Sequence, residues 1–92
     1  MKSNGDILKE AHALINGPRQ GDYGTPSENF GRIASMWTAY LGFPVTCKDA
    51  AIMMALLKIA RESNRHKPDN ILDACGYIGL AGDFGGNHAN HD

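Results

Sequence analysis

Glycine and proline fall together at Gly17-Pro18 and at Gly42-Phe43-Pro44, proline stands alone at Pro68, and they cut the chain into stretches of helical length. Proline cannot continue a helix and glycine readily ends one, so each stretch must stop where these residues stand. Between the stops the apolar residues recur every three or four positions, the period of a helix face. The first stretch, Asp6 to Asn16, carries Ile7, Leu8, Ala11, Leu14 and Ile15. Ser3 or Asn4 caps its start, and Gly17 is expected to supply a left-handed cap ahead of Pro18. Thr25-Pro26-Ser27-Glu28 opens the second: threonine caps, proline takes the first helical position, and Glu28 closes a capping box. Phe30, Ile33, Ala34, Trp37, Tyr40 and Leu41 then share one face. Thr46 with Asp49 repeats the box ahead of a broad apolar face of Ile52, Met53, Leu56, Leu57, Ile59 and Ala60. After Pro68, Asp69 or Asn70 is expected to cap a fourth helix bearing Ile71, Leu72, Cys75, Ile78 and Leu80. No stretch alternates with period two. The reading is all-α: a compact bundle of helices near 6–16, 26–41, 47–64 and 70–83. They form a single helical domain over 1–84, followed by a mobile tail over 85–92.

Two features predict that one chain does not finish this bundle. Gly76, Gly79 and Gly82 recur every three residues in the fourth helix. Each costs roughly 1 kcal/mol relative to alanine, a cost best understood if another backbone approaches there. The third helix also carries more large apolar residues than one packing face needs. Small domains often complete a core by self-association, so a homo-oligomer is expected. The simpler alternative is that the last helix frays.

A net charge of -1 gives no global basic field that would argue for nucleic acid or a membrane surface. No apolar run approaches the roughly 20 residues of a membrane span, and the first residues do not read as a signal peptide. Cys47 and Cys75 suit a reducing compartment, so a cytoplasmic location is expected. The charge is uneven locally: Lys58, Arg61, Arg65, His66 and Lys67 stand against Glu62 alone.

Lys58, Arg61, Glu62 and Arg65 follow spacings of three and four and share a helix face. Asp69, Asp73 and Tyr77 do the same on the fourth helix. A hairpin turning through Asn64 to Pro68 would set the two faces side by side. Lys and Arg neutralise phosphate oxygens, and one or two carboxylates with waters and phosphate hold Mg²⁺. The alternative is a surface salt-bridge network of little energetic value. The loop Gln20-Gly21-Asp22-Tyr23-Gly24 leads to a helix start whose free N–H groups can receive an anion. Trp37 and Tyr40 suit either base stacking or core packing. His88 and His91 are too few for a zinc site, and Cys47 lacks a histidine partner for nucleophilic chemistry.

The order Asp22-Tyr23-Gly24, Asn29-Phe30, Trp37, Lys58-Ile59-Ala60-Arg61, then Asp69-x-x-x-Asp73 with Gly76-Tyr77 resembles a family of small helical phage and prophage proteins of unassigned function. More distantly it is similar to phage nucleotide-modification-associated helical domains and to the MazG-like all-α nucleoside triphosphate pyrophosphohydrolases. The nearer resemblance covers residues 6 to 82. The more distant one implies a nucleotide or other phosphorylated ligand, its motifs falling on Lys58, Arg61, Asp69, Asp73 and Tyr77 with Asp22 and Tyr23 from the loop, and the helix-face spacing adds Arg65. Mg²⁺ would rest on Asp73 and Asp69. MazG-like enzymes hold Mg²⁺ with an E-x-x-E pair and a later E-x-x-D pair, and this chain carries neither. Sequestration of a ligand therefore stands beside weak hydrolysis. The competing reading is a phage protein that bridges or inhibits a host protein through a helical face.

Overall fold

The computed structural model describes residues 2–17 and 24–85. They form α1 (Asn4–Asn16), α2 (Pro26–Leu41), α3 (Cys47–Asn64) and α4 (Pro68–Gly85), with no strand among them. The all-α bundle is as expected. Asp22 and Tyr23, and the tail over 86–92 with His88 and His91, lie outside the described residues.

Three capping boxes set the helix starts. Ser3 pairs with Asp6, Thr25 with Glu28 and Thr46 with Asp49, each side chain serving the other's backbone N–H. Gly42 ends α2 in the left-handed region, its N–H donating to the Thr38 carbonyl. The Thr38 hydroxyl then accepts from the Val45 N–H at 2.8 Å, which fixes the path into α3. Two ends differ from expectation. Gly17 is extended rather than left-handed, because a residue ahead of proline is pushed out of helical conformations. Helix α4 begins at Pro68 itself, so Asn70 is not a cap but a buried residue inside the first turn.

The helices pack as a hairpin of α3 and α4, with α1 laid on α4 and α2 on α3. Phe30, Val45, Ala50, Ala51, Leu80, Ala81 and Phe84 form the core, and Ile15, Ile33, Trp37, Met54 and Tyr77 pack around it. On α2 the face runs as expected through Trp37, after which Tyr40, 89% exposed, and Leu41 leave the core. The larger correction is on α3. The helix faces its neighbours with Ala50, Ala51 and Ala55, while Met53, Leu56, Leu57 and Ile59 lie exposed. The broad apolar face therefore points away from the bundle, because small residues let α3 and α4 approach closely and Lys58 and Glu62 are held on the inner side.

The glycines of α4 also find a different explanation. A Cβ at Gly76 would lie 3.0 Å from Ile15 Cγ2, and one at Gly79 would lie 3.7 Å from Ile15 Cδ1. Helix α1 of the same chain uses this close approach, and no second chain is needed to explain it. Gly82 is exposed with nothing within 4 Å, and Gly42 is equally open but holds φ at +80°. Two alanine substitutions should therefore have opposite signs. Gly82→Ala is expected to stabilise by about 0.4–1 kcal/mol, and Gly42→Ala to destabilise by about 1–2 kcal/mol. Urea unfolding of the two variants checks both.

Candidate functional site

The α3/α4 hairpin brings the basic and acidic stripes together at one point. Lys58 Nζ lies 2.9 Å from Asp73 Oδ2, and the two side chains keep only 16% and 19% of their exposure. Arg61 and Arg65 remain exposed on α3 and at its C-terminal cap, with no carboxylate partner among the described residues. Asp69 separates from the group. It lines an open groove of about 650 Å³ between the first turns of α1 and α4, together with Lys2, Asp6 and His66.

One helical turn from the ion pair lies a small cavity of about 110 Å³, lined by Asn29, Phe30, Met54, Tyr77 and Gly24 among others. Met54 precedes Lys58 by four residues and Tyr77 follows Asp73 by four, so cavity and ion pair are successive rungs of one hairpin. Tyr77 meets Phe30 edge-on, ring centroids 6.0 Å apart. Gly24 sits at the rim with φ of +82°. Neither Met54 nor Asn29 stood out as a site residue in the sequence; the four-residue step from Lys58 was the available signal for Met54.

The role of Glu62, too, is one that the sequence did not disclose. Its carboxylate gathers the turn, accepting from the Lys67 N–H at 3.1 Å and the Asn70 amide at 3.1 Å, and pairing with His66 Nδ1. The buried Asn70 amide reaches on to the Arg65 carbonyl at 3.5 Å. The His66 contact, then the Lys67 N–H, hold the Glu62 carboxyl below its ordinary value of 4.5. The Thr25 backbone and hydroxyl lower Glu28 in the same way at the start of α2. A carboxyl whose folded value is depressed contributes stability above its unfolded value and loses it as pH falls through the folded one. Thermal midpoints should therefore fall on acidification below about pH 4.5, and Glu62→Gln should flatten that fall. Melting curves of both proteins from neutral to acidic pH check it.

Among the described residues no three His, Cys, Asp or Glu side chains gather to hold a metal ion. Asp73 already faces Lys58, so any Mg²⁺ here would depend on oxygens brought by a phosphorylated ligand. Both cysteines are free thiols. No helix among the described residues is long and apolar enough to cross a membrane.

The family described as Domain of unknown function (DUF6378) matches residues 6–85. The chain is 47% identical over 76 residues to the Gene 55 protein of Mycobacterium phage L5, covering 80% of this chain and 49% of that one. It is 42% identical over 74 residues to the Gene 55 protein of Mycobacterium phage D29, covering 79% and 49%. The chain thus spans about half the length of the curated relatives it matches. No solved structure matches it significantly.

Proposed function

This chain belongs to the DUF6378 family, and we propose that it is a phage or prophage accessory protein that holds a nucleotide, or another small phosphorylated molecule, on the α3/α4 hairpin. The observation that carries the reading is the half-buried Lys58–Asp73 pair at 2.9 Å, with Arg61 and Arg65 following it along the chain, both exposed and without a carboxylate partner among the described residues. An ion pair that only tied the hairpin would not need Arg61 and Arg65 next to it. Arg61 in the last turn of α3 and Arg65 at its cap add positive charge at one end of the hairpin, and a phosphate would neutralise that charge while matching their planar donors.

In this reading Arg61 and Arg65 take phosphate oxygens, and Asp73 orients Lys58 toward a further one. Tyr77 and the adjacent cavity receive the less polar part of the ligand. Asp22 and Tyr23, carried over from the family resemblance, complete the set. Mg²⁺ brought by the phosphate would be held by Asp73 together with the ligand's own oxygens, while Asp69, which the sequence offered as a second carboxylate, faces the separate groove at the first turns of α1 and α4. The donor set is too small for a two-metal centre, so retention of the ligand in the host cytoplasm is favoured over MazG-like hydrolysis.

The second reading, a protein that bridges or inhibits a host component, draws on α2. Met36 and Tyr40, four residues apart, are 73% and 89% exposed and form a small apolar patch.

Calorimetry of the wild type against mono-, di-, tri- and cyclic nucleotides, with and without Mg²⁺, tests the first reading. Arg61→Ala is expected to remove about 1.5–3 kcal/mol of affinity and to leave the free protein as stable as before. Asp73→Asn is expected to abolish any Mg²⁺ dependence, since it keeps shape and removes charge. Wild type that binds none of the nucleotides would set the reading aside in favour of the second.

A further inference from the structure

Helix α3 is amphipathic the wrong way round for a lone bundle. Two of its charges are turned inward: Lys58 reaches Asp73 and Glu62 reaches Asn70, both on α4. From Ala50 to Ala60 its outer side carries Met53, Leu56, Leu57, Ile59 and Ala60, all exposed, and no charge. A helix hydrophobic on the side facing water is a helix whose partner is elsewhere. The patch does not end with α3. A groove of about 330 Å³, lined also by Asp49, joins Ile52 and Met53 to Leu41 at the end of α2 and to Phe43 just beyond it, so apolar side chains extend past α3.

We propose that this outer face of α3 is the interface between two copies of the chain, packed antiparallel about a two-fold axis near Leu56. The face has the polarity pattern that such a pairing requires. It is apolar in the middle and polar at both ends, with Asp49 in the first turn and Ser63 and Asn64 in the last. An antiparallel arrangement sets Asp49 of each copy beside Ser63 and Asn64 of the other and within a helical turn of Arg61. The apolar centre then meets its own image, as an isologous interface demands. A parallel arrangement would instead set Asp49 against Asp49, and would align the helix dipoles unfavourably. The interface leaves Lys58 and Asp73 on the other side of α3, and its test reads association without any ligand, so it can fail while ligand binding holds, or hold while ligand binding fails.

Sedimentation equilibrium of the wild type should give a dimer. Leu56→Glu, at a position 57% exposed within the chain, should keep the helical circular dichroism and weaken association roughly 30-fold or more. Direction is read by disulfide trapping in a Cys47→Ser/Cys75→Ser background. Met53→Cys mixed with Ala60→Cys should cross-link between the two variants, and neither should cross-link with itself. A monomer at every concentration, a dimer indifferent to Leu56→Glu, or a 53-to-53 cross-link would each overturn the proposal.

Discussion

Phe30→Ala should remove about 3–5 kcal/mol of stability, the range for emptying a buried aromatic site. The ring is only 3% exposed and is the point where three helices meet. It touches Tyr77 edge-on and lies 5.6 Å from the Phe84 ring, both on α4, while itself standing on α2. Ala50, Ala51 and Ala81 of the same cluster are too short to fill the space left behind. A domain of this size has total stability of about 5–15 kcal/mol, so the loss is a large fraction of it. The thermal midpoint by circular dichroism should fall by roughly 15 °C or more. A loss below 1 kcal/mol would mean that the four helices are not organised around this residue.

The second large effect concerns the ion pair. Asp73→Leu strands the Lys58 ammonium in a site where only 16% of its side chain reaches water, and should cost about 2–3 kcal/mol. That is somewhat less than for a fully enclosed charge, because the partial exposure lets water compensate. Lys58→Met made together with Asp73→Leu should recover most of the loss, since a matched apolar pair of similar volume is often neutral. The cycle also separates structure from function. The double variant is expected to fold like the wild type and to lose phosphate ligands, because the fold needs only a filled space there and the ligand needs the charge.

The helices were legible because their ends are marked by local chemistry. Three capping boxes and the prolines at 26 and 68 act through residues within four positions of each other, and such signals do not depend on the tertiary fold. Which face turns inward was less legible. On α2 the periodicity of Phe30, Ile33, Ala34 and Trp37 pointed to the core correctly. On α3 it did not, since the large residues and the alanines occupy opposite sides and hydrophobicity favours the larger ones. Only the packing of α4 shows that the alanine side is the inner one. The glycines of α4 carried real information about close approach, but sequence cannot tell α1 of the same chain from another chain. For the site, the Lys58–Asp73 meeting followed from spacing and the shortness of the turn, and it was legible in advance. The parting of Asp69 from Asp73 was not. It depends on where α1 lies, since Asp69 lines a groove with Lys2 and Asp6 at the start of the chain and that neighbourhood exists only in the packed fold. Glu62 stood out only as the lone acid of a basic stretch; its gathering role needs the His66 ring, the Lys67 N–H and the Asn70 amide together, which the turn into α4 alone provides.

The claim on which the functional account rests is that the hairpin around Lys58 and Asp73 receives a phosphorylated ligand. A titration of uniformly ¹⁵N-labelled wild type with nucleotide, followed by two-dimensional amide NMR, locates any ligand without altering a residue. The account predicts that shifts concentrate on Met54 to Arg65 and on Asp69 to Tyr77, and that the outer residues of α2 stay still. Amides that remain unchanged throughout, or changes confined to the Met36 and Tyr40 side of α2, would contradict it.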